Sequence, residues 1–165
     1  MIWKLLLSVG LAALVTCAAP AYAQDKASQK FIKEAIEGNL AEVQIGQLAQ
    51  QKGQSDGVKS FGQMLATDHG QANQKATQVA SQLGVTPPTE PNAKQKKVYN
   101  RLSKLSDDKF DRAFASEMVK DHKKDIKEFE KAAKKGSGPA PAFANETLPT
   151  LRKHLETSQA LAKGK

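Results

Sequence analysis

The chain is poor in cysteine and in aromatic side chains: it has one cysteine among 165 residues, and 5% of its residues are aromatic. Cys17 and the only tryptophan, Trp3, both lie in the N-terminal apolar stretch. The rest of the chain therefore excludes thiol catalysis, cysteine metal ligands and disulfides. Because few aromatic rings are available to stack on bases, we expect no nucleic-acid partner.

The first 23 residues have the pattern of an export signal. One lysine precedes the apolar run LLLSVGLAALV, and Ala-Tyr-Ala at 21–23 is a small-x-small cleavage site. We expect cleavage after Ala23 and a periplasmic or envelope-associated protein. The apolar run itself is too short for a good membrane span, and no transmembrane segment is expected in the mature chain. An alternative is a lipoprotein signal with lipid on Cys17.

The predicted mature domain, 24–165, is long enough for one buried core. Strand signals are scarce, because the sequence has no alternating β-branched runs and no Asn-Gly hairpin turns. Four long segments instead carry apolar residues at helical spacing. They start near Ser28, near Ser55, after Ser106 and after the stretch GSGPAPA. We therefore predict an all-α domain.

The lengths of the connections predict how the helices are arranged. Short loops join the first segment to the second and the third to the fourth, so each pair is predicted to be an antiparallel hairpin. Over twenty residues, GVTPPTEPNAKQKKVYNRLSKLS, join the two hairpins and include a predicted short helix. A connection of this length can cross a whole bundle. We predict a ferritin-like four-helix bundle, and a plain up-down-up-down bundle is the alternative.

The three histidines of the chain fall on the apolar stripes of three different helices. His69 and His122 lie near the middle of the second and third helices, and His154 lies somewhat past the middle of the fourth. Glu42 is the acidic residue near the middle of the first helix, on a line of mostly small residues. Three imidazoles and one carboxylate at one level suit a divalent transition metal.

Two aspartates directly precede histidines, Asp68 before His69 and Asp121 before His122. They are predicted to be extra metal ligands or hydrogen-bond partners of the ligands. In the alternative interpretation the histidines are buried core residues that hydrogen-bond a carboxylate or a backbone carbonyl, and Glu42 pairs with one of them. The predicted metal site comprises Glu42, His69, His122 and His154.

The third helix is rich in lysine. These side chains form a solvated face or contact an anionic envelope surface, such as lipid headgroups. The lysines of this helix and its C-terminal end are Lys120, Lys123, Lys124, Lys127, Lys131, Lys134 and Lys135.

Three stretches resemble a known family of secreted bacterial ferritin-like proteins, the domain of unknown function four-one-four-two. They are FIKEAIEGNLAEVQIGQLAQQKGQSDGVKSFGQMLATDH, FDRAFASEMVKDHKKDIKEFEKAA and LPTLRKHLETSQAL. The resemblance covers nearly the whole mature chain, and members are often called predicted outer-membrane proteins. It implies a four-helix bundle, export and no established activity. The matching polar positions are Glu42, Asp68, His69, Asp111, His122 and His154.

The sequence departs from the Glu-x-x-His motif of di-iron ferritin-like proteins. Ala66, Val119 and Leu151 stand three residues before the histidines. Ferroxidase activity is therefore not expected, and no other catalytic set stands out. We expect an exported bundle with a metal site, used in metal handling or stress protection. The alternative is a non-catalytic structural or interaction module of the envelope.

Overall fold

The computed structural model describes residues 26–164, which form five α-helices and no strand within that range. The prediction of an all-α helical bundle is confirmed. The predicted export signal, with its cleavage site and Cys17, lies outside the described residues. The helices are α1 (Lys26–Lys52), α2 (Asp56–Gln82), α3 (Ala93–Leu102), α4 (Asp107–Ala133) and α5 (Pro139–Ala162).

The helix ends follow local sequence signals. The Ser55 hydroxyl accepts a hydrogen bond from the Val58 amide at 3.3 Å and so caps the start of α2. Gly84 follows α2 with φ +67°, and Gly136 follows α4 with φ +95°. Glycine takes these left-handed conformations without a Cβ clash, which explains why both helices end there. α5 begins at Pro139, where the missing amide hydrogen costs no helical hydrogen bond.

The two hairpins are connected from one end of the bundle to the other. At one end the Gln29 side chain of α1 donates to the Leu83 carbonyl, just after α2, at 2.9 Å. At the opposite end the Lys52 ammonium donates to the carbonyls of Ser103 and Leu105, just before α4, at 2.5 and 2.8 Å. The chain between α2 and α4 therefore crosses the full length of the bundle, with α3 against α1. The ferritin-like assignment itself stays a prediction.

α1 and α2 pack with their backbones in contact at two glycines. A Cβ atom on Gly46 would lie 2.6 Å from the Gly62 carbonyl oxygen, and one on Gly62 would lie 2.6 Å from the Gly46 oxygen. Both distances are far below van der Waals contact. The small residues that run along α1 therefore set the close spacing of this hairpin.

Two apolar clusters fill the bundle and a polar layer separates them. One cluster includes Ile32, Phe129 and Phe143. The other includes Phe61 and Phe114. Because each long helix contributes apolar residues to both clusters, the middle of each helix lies between them. The polar layer consists of Asn39, Glu42, His69, His122 and His154, all buried.

Candidate metal centre

The three histidines meet in the polar layer. One ring nitrogen from each of His69, His122 and His154 can be chosen so that all three lie within 4.8 Å of one another. The ring centroids are 5.3 to 5.8 Å apart, and no ring is more than 4% exposed. The prediction that three helices bring their histidines inward is thus borne out by the geometry. We call these residues the histidine cluster.

The hydrogen bonds of two rings fix which nitrogen carries the proton. Nδ1 of His122 lies 2.9 Å from the Met118 carbonyl oxygen, which can only accept, so Nδ1–H donates. Nε2 of His154 lies 2.9 Å from Oδ2 of Asp68, and Nε2–H donates to that carboxylate. In neutral rings the other two nitrogens, Nε2 of His122 and Nδ1 of His154, are then acceptors. They face each other at 3.3 Å.

The third ring has the same arrangement. Nδ1 of His69 lies 2.9 Å from Oδ1 of Asn39, which accepts its proton. Nε2 of His69 is buried and has no hydrogen-bond partner among the described residues. Each ring is therefore held from outside by an oxygen acceptor, while its second nitrogen keeps a lone pair. Outer hydrogen bonds of this kind orient histidines that bind metals.

Burial keeps the three rings neutral. It lowers the pKa of His122 to about 4, with a further contribution from the charge of His154. Burial also lowers the pKa of His69 well below its ordinary value, and the two other histidines lower it further. The pKa of His154 falls for the same first reason, although Asp68 opposes the shift. Near neutral pH one nitrogen of each ring therefore keeps an unprotonated lone pair, and no proton competes with a cation at these nitrogens.

Glu42 lies in the polar layer but outside the histidine cluster. It is 1% exposed, and neither carboxylate oxygen has a hydrogen-bond partner within residues 26–164. Burial raises its pKa well above the ordinary value, and the nearby Asp121 carboxylate raises it further. The metal site predicted from the sequence included Glu42 with the three histidines. The structure brings it next to Asp121 instead, so the predicted site divides into a histidine cluster and a carboxylate pair.

The remaining polar residues of the sequence motifs have separate positions. Asp68 bonds His154 of α5, not its neighbour in sequence. Asp111 accepts hydrogen bonds from the amides of Gln54 and Ser55, both at 2.9 Å, and so fastens the α1–α2 loop to α4. Asn39 was not expected to contact a histidine. The available signal was its place three residues before Glu42, on the same face of α1.

One face of the bundle is rich in exposed lysine, and none of the helices in residues 26–164 could span a membrane. The side chains of the lysine-rich face of α4 are exposed, and contact with an anionic envelope surface stays a prediction. Among residues 26–164, every helix is too short or too polar to cross a membrane. The exposed lysines of α4 and its C-terminal end are Lys120, Lys123, Lys124, Lys127, Lys131, Lys134 and Lys135.

Comparisons with known proteins give one match. The family model described as Domain of unknown function (DUF4142) matches residues 13–161. Searches of curated proteins and of solved structures found no match. The match covers most of the chain and includes all three histidines and the whole polar layer.

Proposed function

The chain belongs to the family described as Domain of unknown function (DUF4142), and we propose that it binds one divalent transition-metal ion through His69, His122 and His154. The observation that carries this proposal is the 3.3 Å contact between Nε2 of His122 and Nδ1 of His154. Both nitrogens are acceptors in the neutral rings, so the contact is unfavourable unless a cation lies between them.

The spacing of these two nitrogens suits a metal ion. With metal–nitrogen bonds of about 2.0–2.1 Å and a tetrahedral angle of about 109°, two ligand nitrogens lie about 3.3–3.4 Å apart. The contact between His122 and His154 has this length. The three nitrogens of the cluster lie within 4.8 Å of one another. This bound is larger than the distance of about 3.3–3.4 Å between two ligands of a tetrahedral ion. Full coordination therefore draws His69 inward.

The ligand set favours some metals over others. Imidazole nitrogen suits Zn²⁺, Cu²⁺ and Ni²⁺, whereas Mg²⁺ and Ca²⁺ prefer oxygen ligands. Three protein nitrogens also leave a tetrahedral ion one ligand short, so water or a small molecule completes the coordination. We propose a role in metal handling outside the cytoplasm, because the sequence predicts an export signal at residues 1–23.

A second candidate is a structural or interaction module of the envelope, in which the histidines only stabilise the core. One observation favours it: the outer nitrogen of every ring already has a hydrogen-bond partner. A proton shared between His122 and His154 would then replace the metal. The lowered pKa values of both rings oppose this, because the extra proton would have to be held in a buried site.

Metal titration of the purified mature protein separates the two candidates. After treatment with a chelator, we expect one Zn²⁺ or Cu²⁺ ion per chain in calorimetry. At a free metal concentration of about 100 Kd the ion stabilises the fold by about 2.7 kcal/mol. For a domain of this size that corresponds to a rise in Tm of about 8–11 °C.

His122→Gln and His154→Gln are the control variants. Every histidine of the chain belongs to the cluster, so no histidine elsewhere can replace the one that is lost. Both variants should lose the rise in Tm and the stoichiometric binding. Mg²⁺ at the same concentration should have no effect on wild type. Metal binding that persists in both variants, or a wild-type Tm unchanged by every transition metal tested, would overturn the proposal.

A further inference from the structure

A groove between α1, α3 and α4 leads from the surface to the histidine cluster. It encloses about 560 Å³, and His69 is the one histidine of the cluster that lines it. Asn39, which holds His69 from outside, lines it as well. The ring whose inner nitrogen has no partner in residues 26–164 is thus the ring that the groove reaches.

The α4 wall of this groove carries an acidic stripe. Glu117, Asp121, Asp125 and Glu128 are spaced four, four and three residues apart, so they lie on one face of the helix. The chain as a whole has a formal net charge of +8. Lysines line the same groove, three of them on α4 (Lys120, Lys124 and Lys131), so the stripe supplies local carboxylates in a groove of mixed charge.

Two of the four carboxylates of the stripe form ion pairs with neighbouring bases, and Asp121 is not one of them. Glu117 pairs with Arg101 at 2.6 Å, and Asp125 pairs with Lys124 at 3.1 Å. Asp121 makes no ion pair among the residues that the structure describes. Its close neighbour is the buried carboxyl group of Glu42, which is not among the residues that line the groove and whose pKa is raised well above its ordinary value by burial and by Asp121.

We infer that this groove is the route by which the metal ion reaches and leaves the histidine cluster, with Asp121 as a carboxylate that attracts the ion on the way and His69 as the first ring that it meets. The inference rests on the proposed metal binding. The Asp121 carboxylate attracts a divalent cation, and an oxygen ligand holds it less tightly than three imidazoles hold a transition metal. Asp121 therefore favours entry of the ion into the groove, and His69 receives it because it lines the groove and lies beside the other two rings.

The test measures the rate of Co²⁺ binding to the full mature protein by stopped-flow absorption, because bound Co²⁺ has visible bands that report its coordination. Gly38 offers a way to obstruct the groove without altering any ligand. It lines the groove, and a Cβ added there would meet only the Gln95 amide nitrogen, at 3.9 Å. In Gly38→Leu we expect Co²⁺ association and dissociation to slow equally, by about tenfold, with Kd unchanged.

The matched control is Gly70→Leu. Gly70 is also a helical glycine with nothing within 4 Å of an added Cβ, but it does not line the groove. This variant should bind Co²⁺ at the wild-type rate. In Asp121→Asn the association rate should fall about three- to tenfold at low salt, and its dependence on ionic strength should weaken.

The outcomes distinguish the route from the site. Tight Co²⁺ binding by wild type, with association rates unchanged in both Gly38→Leu and Asp121→Asn, would overturn the route and leave the metal site standing. A Gly70→Leu variant slowed as much as Gly38→Leu would also overturn it, because obstruction of the groove would then not be the cause. Wild type that binds no Co²⁺ would overturn the proposed function and the route with it.

Discussion

Replacing His122 should change how the stability of the metal-free protein depends on pH. The folded-state pKa of His122 is about 4, because burial disfavours the charged ring and His154 adds to the effect. In the unfolded chain the ordinary value is about 6.5. Between these two values the unfolded chain binds a proton that the folded chain does not. The contribution of this ring to stability is therefore complete above pH 6.5 and is lost as pH falls toward 4.

The magnitude follows from the shift. The difference between about 6.5 and about 4 is roughly 2.5 pH units, and each unit corresponds to 1.36 kcal/mol. From pH 7.5 to pH 4 wild type should therefore lose about 3 kcal/mol of unfolding free energy through His122 alone. His69 contributes in the same direction, since its pKa is lowered well below the ordinary value. Glu42 acts in the opposite direction, because its raised pKa favours folding at low pH.

The assay is urea unfolding followed by far-ultraviolet circular dichroism, with a chelator present, at several pH values from 7.5 to 4. The quantity of interest is the difference between wild type and His122→Gln, because the contributions of other groups then largely cancel. Gln keeps a donor near the Met118 carbonyl and does not titrate. We expect His122→Gln to be less stable than wild type at pH 7.5 and to lose about 3 kcal/mol less on acidification.

Met118→Leu is the control for a mutation at the same level of the bundle. Met118 is fully buried, and the exchange keeps volume and introduces no titrating group. It should lower stability by less than about 1.5 kcal/mol, by the same amount at every pH. Parallel pH profiles for wild type and His122→Gln would refute the reasoning, because they would mean that the ring titrates normally in the folded protein.

Two further predictions concern the frame that positions the site. Gly46→Ala should destabilise the fold by about 1–3 kcal/mol, measured as a fall in Tm, since its Cβ would lie 2.6 Å from the Gly62 carbonyl oxygen. Gly70→Ala, which meets nothing within 4 Å, should be neutral or slightly stabilising, and an equal loss in both variants would contradict the close-packing argument. Asp111→Asn should cost about 1–3 kcal/mol, because two amides of the α1–α2 loop share its carboxylate. An unchanged urea midpoint would count against that role.

The sequence predicted which residues face the interior, because helical periodicity carries that information directly. His69 follows Leu65 by four residues and His122 follows Met118 by four, so burial of the two apolar residues fixes the direction of both rings. The end of α2 near Gly84 was also predictable, because the backbone there has φ +67°, a conformation that favours glycine. These features depend on one helix at a time.

The contacts across helices could not be predicted in the same way. Adjacent residues on a helix point about 100° apart, so Asp68 cannot share the direction of His69. It reaches the neighbouring helix and bonds His154. The rotation of α1 likewise directs Asn39 to His69, and Glu42 lies next to Asp121. Periodicity places Asn39 and Glu42 on one face of α1, but the choice of partner depends on how the helices pack.

The division of the polar layer bears on how many metal ions the protein can hold. A pair of irons in a ferritin-like bundle needs carboxylates that bridge the two ions. Here the inner atoms of the histidine cluster are nitrogens, and an imidazole nitrogen with one lone pair cannot bridge. Glu42 lies on the Asp121 side, outside the cluster of ligand atoms within 4.8 Å. Among the described residues the three histidine nitrogens that converge therefore suit a single ion, and no carboxylate joins them to bridge it to a second.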